Sequence, residues 1–96
     1  MNAMGFPLDE VTRWVLGVER RVLVMKALET PGAFSAADIA EKCDRSVQNI
    51  SHALHELEEK GLIECLTPEK HTWKRYLLTE KGRNILTELQ DGGLIP

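Results

Sequence analysis

The stretch SAADIAEKCDRSVQNISHALHELEEKGLIE, residues 35–64, contains two helix starts in close succession. At the first, Ser35 can cap free backbone amides, and Asp38 follows three residues later, as in a capping box. At the second, Ser46 caps a longer helix, and Asp44 occupies the turn between the two. Aspartate tolerates the left-handed backbone that such a turn often needs. Two helices joined by so short a turn predict a helix-turn-helix.

The second of these helices has one apolar face and an unusual outer face. Its apolar residues recur every three or four positions, which indicates burial, and they are Ile50, Ala53, Leu54 and Leu57. The outer face begins with uncharged polar side chains, Gln48, Ser51, His52 and His55, and turns acidic only at Glu56, Glu58 and Glu59. A helix that needs only solubility usually carries Lys and Glu along its whole outer surface. The pattern therefore favours a binding role for the first turns, although a merely solvated face is the alternative.

The following residues predict a β-hairpin and a last helix. The segments LIECLT (62–67) and WKRYLLT (73–79) are short and rich in Leu, Ile, Trp and Tyr, which is typical of strands, and residues 68–72 connect them. Thr79 begins a helix over 80–90 that carries apolar residues on one side.

Two further helices are predicted ahead of the pair, over 8–16 and 19–29. Gly17 stands between them and costs a helix about 1 kcal/mol relative to Ala, which favours a break. The order is then four helices, two strands and one helix. The predicted fold class is mainly α (α+β): a winged helix-turn-helix, in which a helical bundle carries a two-stranded β-hairpin wing.

Length and composition fit one small domain over 1–96, with 1–7 as a flexible start or cloning remnant and 92–96 as a tail. The sequence is 43% hydrophobic and has a net charge of −3. It has neither an apolar run of roughly 18 residues nor a visible signal peptide, so we expect a cytoplasmic protein with no membrane partner. Cys43 and Cys65 form no disulfide framework, and we expect them to be inert core residues rather than a redox switch.

No group of residues predicts catalysis. There is neither a phosphate-binding Gly-rich loop nor a nucleophile with an adjacent base, so we expect no enzyme and no cofactor. His52 and His55 stand three positions apart on one helix face, a spacing that can share a metal ion. Only Glu56 and Glu59 lie beside them, and we expect no metal site there.

Three segments together resemble the small winged helix-turn-helix regulators of the MarR and ArsR type. They are residues 35–64, WVLGVERRVLVMKALETPG (14–32) and RYLLTEKGRNIL (75–86), where an aromatic residue precedes L-T-x-K-G. The chain departs from the pattern in having Asp44 where Gly is usual in the turn, and in lacking the longer terminal helices with which MarR proteins dimerise. The paired-cysteine metal motif of ArsR proteins is also absent, so the resemblance does not imply a metal sensor.

The resemblance implies that the helix over 47–59 enters the major groove of double-stranded DNA, while the wing over 67–75 contacts the backbone. The residues implied to read bases are those of its exposed first turns: Val47, Gln48, Asn49, Ser51, His52 and His55. Gln can pair bidentately with adenine, and His and Ser suit several base edges. The segment 67–83 carries five basic and two acidic residues, so phosphate contacts are expected there. The candidates are Arg45, Lys70, Lys74 and Arg75. Trp73 is expected to pack on the protein rather than stack on a base.

We also expect a homodimer, because the first and last helices have more apolar surface than one small core can cover. The interface candidates are Val11, Trp14, Ile85 and Leu89. The main hypothesis is a sequence-specific, duplex DNA-binding transcriptional regulator, and no residue points to a small-molecule effector. The alternative is a winged-helix module that binds another protein without base contact; the net negative charge favours it, and the basic wing does not.

Overall fold

The computed structural model describes residues 9–67, 69 and 74–96. The predicted start (1–7), Lys70 and Trp73 lie outside these residues. The described elements, in chain order, are α1 (Glu10–Leu16), α2 (Glu19–Ala27), α3 (Ala36–Cys43), α4 (Val47–Glu59), β1 (Ile63–Cys65), β2 (Tyr76–Leu78) and α5 (Glu80–Asp91). The predicted winged helix-turn-helix with five helices and a two-stranded hairpin is confirmed.

Local sequence signals set the helix ends. Ser35 and Asp38 form the complete capping box, since the Ser35 hydroxyl accepts from the Asp38 amide and the Asp38 carboxylate accepts from the Ser35 amide, both at 3.1 Å. Asp44 adopts the left-handed backbone, with φ of 55°, between α3 and α4. The Ser46 and Thr79 hydroxyls cap α4 and α5 by accepting from the amides of Asn49 and Gly82, each at 3.1 Å. The turn that joins α3 to α4 is thus built from residues whose side chains favour it.

Two helices are shorter than predicted. The first begins at Glu10 rather than residue 8, because the Asp9 carboxylate accepts from the Thr12 amide and acts as its cap. The second ends at Ala27, two residues before the predicted Glu29. The predicted break at Gly17 is present, since α1 ends at Leu16.

The wing pairs with a third segment that the sequence analysis missed. Strands β1 and β2 are antiparallel, with Ile63 opposite Leu78 and Cys65 opposite Tyr76, and each is three residues long. Tyr76 also forms an isolated bridge with Phe34, whose amide donates to the Tyr76 carbonyl at 3.0 Å while the Tyr76 amide donates back at 2.9 Å. The segment that leads into α3 is therefore tied to the wing.

One hydrophobic core joins the helices and the hairpin. Its fully buried large side chains come from every helix and from the start of β1: Val15, Val24, Met25, Ile39, Ile50, Leu57, Leu62, Ile63 and Leu89. The α5 helix approaches the backbone after α4 closely at Gly82, where an added Cβ would lie 2.0 Å from the Leu62 carbonyl oxygen. This core fixes α4 with one face inward and the other outward.

Candidate nucleic-acid interface

The first turns of α4 present four polar side chains on one open surface. Gln48, Ser51, His52 and His55 are all exposed and line one shallow depression. The opposite side of the helix is buried in the core through Ile50, Ala53, Leu54 and Leu57. Val47, at the start of α4, is 50% exposed and adds an apolar group near this surface. These side chains offer hydrogen-bond donors and acceptors without a fixed charge, which suits the edges of bases better than phosphates.

Asn49 differs from the other predicted base readers. Its side chain is only partly exposed, and its amide oxygen is buried with no hydrogen-bond partner in the described part of the chain. Its backbone amide donates to the Ser46 hydroxyl at 3.1 Å and completes the helix cap. The structure thus gives Asn49 less access to a ligand than Gln48 or His52 has.

The acidic end of α4 is not uniformly solvated, which corrects the sequence analysis. Glu56 accepts a bidentate pair of hydrogen bonds from Arg20 on α2, at 3.2 and 2.8 Å. Arg21 adds a second pair at 3.4 and 3.2 Å. Arg21, followed by Arg20, lowers the pKa of Glu56 because both guanidinium groups favour the charged carboxylate. Glu56 is therefore a structural link between α2 and α4, whereas Glu58 and Glu59 are exposed.

His55 lies near one of these remaining carboxylates. Its Nε2 is 3.6 Å from a Glu59 carboxylate oxygen one turn along the helix, and both side chains are well exposed. A pair so open to solvent contributes little to stability. His55 consequently keeps the freedom to turn toward a ligand.

Two of the basic residues predicted to contact phosphates already have acidic neighbours. Arg45 forms an ion pair with Glu19 at the start of α2. Arg75 lies 3.8 Å from the Asp38 carboxylate and also donates to the Ala33 carbonyl at 3.3 Å. These pairs are partly exposed, so each costs little to exchange for a phosphate.

Lys74 is exposed next to Arg75, two residues before β2. Lys70 and Trp73 lie outside the described residues. The structure therefore places Lys74 and Arg75 on the hairpin, while Arg45 lies beside the start of α4.

The predicted dimer interface needs correction at α5. Leu89 is 0% exposed and Ile85 is 7% exposed, because both pack into the protein's own core. A partner would find no Leu89 surface to contact. Val11 and Trp14 remain partly exposed on α1. Trp14 is not a bare apolar group, however, because the Arg21 guanidinium lies 3.7 Å from the centre of its ring.

Cys43 and Cys65 are free and partly buried, and burial raises the pKa of the Cys43 thiol, which disfavours the reactive thiolate.

Among the described residues, no three His, Cys, Asp or Glu side chains are grouped to hold a metal ion. No helix in that part of the chain has the length and apolar character to cross a membrane.

Arg20 and Arg21 are the residues near this surface that the sequence analysis missed. Arg20 is 36 positions and Arg21 is 35 positions from Glu56 in the chain. The only local signal was the pair of adjacent arginines on a helix that otherwise carries core residues. Nothing in the spacing of either segment specifies that the two meet.

Comparisons with known proteins agree with this architecture. Residues 21–65 match a family model described as a helix-turn-helix domain. A MarR family transcription regulator of known structure is 28% identical, with a TM-score of 0.74, over 88% of this chain and 58% of that chain. The YusO protein from Bacillus subtilis is 21% identical, with a TM-score of 0.72, over 85% of this chain and 60% of that one.

A ZitR variant from Lactococcus lactis is likewise 21% identical, with a TM-score of 0.71, over 98% of this chain and 62% of that one. A search among curated proteins found no match. The chain spans about three-fifths of the length of these structures, between 58% and 62%.

Proposed function

From the winged helix-turn-helix fold that this chain shares with MarR-family regulators, we propose that it is a cytoplasmic, sequence-specific regulator of transcription that binds duplex DNA. The observation that carries the proposal is the outward face of α4. Four side chains able to hydrogen-bond with bases occupy its exposed first turns, and the opposite face is anchored in the core. In helix-turn-helix proteins this second helix lies in the major groove.

In this proposal the side chains of α4 divide into direct and marginal readers. Gln48 and His52 are the principal readers because both are exposed and near the start of the helix. Ser51 and His55 flank them, and the exposed Val47 would contact a thymine methyl group. Asn49 has a smaller part because its amide oxygen is buried.

The basic residues around α4 would hold the DNA backbone without reading sequence. Arg45 lies at the start of α4, and Lys74 and Arg75 lie on the hairpin. On binding, a phosphate replaces Glu19 beside Arg45 and Asp38 beside Arg75. Lys70 is assigned the same role from its place in the wing sequence.

We further propose that the protein acts as a homodimer, because operators of such regulators are two-fold symmetric with half-sites about one helical turn apart. Val11 and Trp14 on α1 are the remaining interface candidates. Light scattering after size exclusion checks this: the 10.8 kDa chain should elute at twice its mass. A monomer at all concentrations, including with DNA, would exclude the dimer.

The second candidate is a module that binds another protein. It is favoured by the net charge of −3 and by the carboxylates already paired with Arg45 and Arg75. Titration of duplex DNA at several salt concentrations separates the two candidates. A regulator with several phosphate contacts loses affinity steeply as salt rises. A protein-binding module shows no measurable duplex binding at any salt concentration.

The decisive experiment selects bound sequences from a random duplex pool. With the unaltered protein it should return one motif, and Gln48→Ala or His52→Ala should change the preferred bases at one or two positions. Gln90→Ala is the matched control, since it removes the same kind of side chain from α5. Lys74→Ala should weaken all sequences alike. An unchanged motif in both α4 variants would refute the assignment of base readers.

A further inference from the structure

A cluster of polar contacts joins the first helix to the proposed recognition helix. We define the Glu56 cluster as Trp14 on α1, Arg20 and Arg21 on α2, and Glu56 on α4. Arg21 is its centre, because the same guanidinium group contacts both other helices. We infer that Arg21 is a positioning residue that makes base discrimination by α4 depend on the placement of α1, an inference that rests on the proposed DNA-binding function.

The contacts of Arg21 with α4 add a polar restraint to a helix that the core already anchors. Its Nε and Nη2 donate to the two oxygens of Glu56, and Arg20 donates to the same two oxygens from the next position of α2. Planar guanidinium groups bind a carboxylate in a fixed bidentate geometry, unlike a single ammonium group. Glu56 follows His55 directly and lies one turn after His52. A rotation of α4 that moved Glu56 would therefore also move both proposed readers.

The contacts of Arg21 with α1 are equally specific. Its Nη1 donates to the Trp14 carbonyl at 2.6 Å, and its Cζ lies 3.7 Å from the centre of the indole ring. Trp14 is in the last turn of α1, where carbonyl groups have no partner within the helix. Arg21 thus satisfies a free carbonyl and stacks on the ring of the same residue.

Lys60 gives a second connection between the same two helices. It follows α4 directly, and its amine lies 5.2 Å from the centre of the Trp14 ring. The indole is therefore flanked by a cation from α2 and a cation from the end of α4. Movement of α1 would disturb both contacts together.

The Glu56 cluster is more buried than the ion pairs near the proposed DNA-binding surface of α4. The Arg21 side chain is 12% exposed and that of Glu56 is 25% exposed, whereas Glu19, which pairs with Arg45, is 75% exposed. Partly buried, multiply bonded ion pairs lose more when one partner is removed than exposed pairs do. An event at α1, such as dimer contact through Trp14, would reach α4 through this cluster. This is how the structure connects a proposed partner surface to base recognition.

The test compares Arg21→Gln with Arg13→Gln, which removes the same charge from an exposed position on α1. The readout is the discrimination ratio, defined as Kd for a scrambled duplex divided by Kd for the selected duplex, well below the unfolding temperature. We expect the ratio to fall about tenfold in Arg21→Gln, an effect of the size of one mismatched base pair, and to stay constant in Arg13→Gln. Arg21→Lys, which keeps the charge without the bidentate geometry, should lose part of the ratio.

A double-variant cycle shows whether Arg21 acts through Glu56. If it does, Glu56→Gln lowers the ratio about as much as Arg21→Gln, and the double variant loses no more than either single variant. An unchanged ratio in a folded Arg21→Gln protein would overturn the inference. So would equal weakening on all duplexes with a smaller salt slope, because that result identifies Arg21 as a phosphate contact.

A DNA-free measurement separates this inference from the proposed function. Amide chemical shifts of residues 47–55 should change in Arg21→Gln and stay constant in Arg13→Gln, since only the first alters the support of α4. If the unaltered protein prefers no duplex over another, the proposed function fails, and these shifts still decide whether Arg21 positions α4. Shifts that match the unaltered protein in both variants would refute that role.

Discussion

Replacement of Gly82 by alanine tests the close approach of α5 to the backbone of Leu62. Gly82 lies in the first turn of α5, and its missing side chain leaves room for the backbone of Leu62 just before β1. An added Cβ would stand 2.0 Å from the Leu62 carbonyl oxygen and 3.0 Å from its carbonyl carbon. Real Cβ atoms essentially never approach closer than 3.0 Å, so α5 and Leu62 must separate by about 1 Å.

The expected cost follows from three contributions. Overpacking costs typically 1–3 kcal/mol, and we take about 3 because the obstacle is backbone, not a side chain that can turn away. The same carbonyl accepts from the Thr79 amide at 3.0 Å, and weakening that bond adds about 1 kcal/mol. Alanine returns about 1 kcal/mol through its better helix propensity. The net prediction for Gly82→Ala is a destabilisation of about 3 kcal/mol.

Urea unfolding monitored by circular dichroism measures this change directly, and calorimetry should show Tm lowered by about 12–24 °C for a domain of this size. Gly17→Ala is the control. Gly17 has an ordinary helical φ of −71°, and its added Cβ would meet nothing closer than 3.3 Å. We expect it to change stability by no more than about 1 kcal/mol. If the free energy of unfolding of Gly82→Ala is within about 0.5 kcal/mol of that of the unaltered protein, the close approach of α5 to Leu62 does not constrain the residue at position 82.

Three further predictions concern residues that pair with α4 or lie next to it. Glu19→Gln should strengthen binding to every duplex several-fold at low salt, because it releases Arg45 from its ion pair. Fluorescence anisotropy gives the affinity, with Glu10→Gln as the control. Equal affinities in the two variants would contradict this prediction. Asp44→Gly should stabilise the protein by about 0.5 kcal/mol in urea unfolding, because Gly accepts a φ of 55° without strain. A loss of stability would show that the aspartate side chain stabilises the turn by more than its backbone strain costs. The lowered pKa of Glu56 implies stability that is present above its usual value of 4.5 and is lost as pH falls through the lower folded-state pKa. Unfolding from about pH 6 to about pH 3 should thus show a smaller decline in Glu56→Gln than in the unaltered protein, and parallel declines would refute this.

Much of the fold was predictable because its signals are local. Ser35 with Asp38, Ser46 and Thr79 mark helix starts through bonds that reach only three residues along the chain. The apolar spacing in α4 identified its buried face, and exposure of Gln48 follows from the same helical geometry. Such features need no knowledge of what packs against them.

The features that the sequence analysis missed join distant segments. The local sequence pattern groups Glu56 with the exposed acidic residues at the end of α4. Only the packing of α2 against α4 brings Arg20 and Arg21 to its carboxylate. Leu89 belongs to an apolar stripe that suits either a core or a subunit interface, and its 0% exposure is set by how far the other helices surround it.

The sequence by itself determined where the helices begin, which face of α4 is apolar, and which polar groups its other face carries, because these depend on contacts within one or two turns. Tertiary structure alone decided that Phe34 pairs with Tyr76 and that Arg21 connects Trp14 to Glu56. Those contacts join residues with no common periodicity, and their partners are selected only when the core closes and limits which groups can meet.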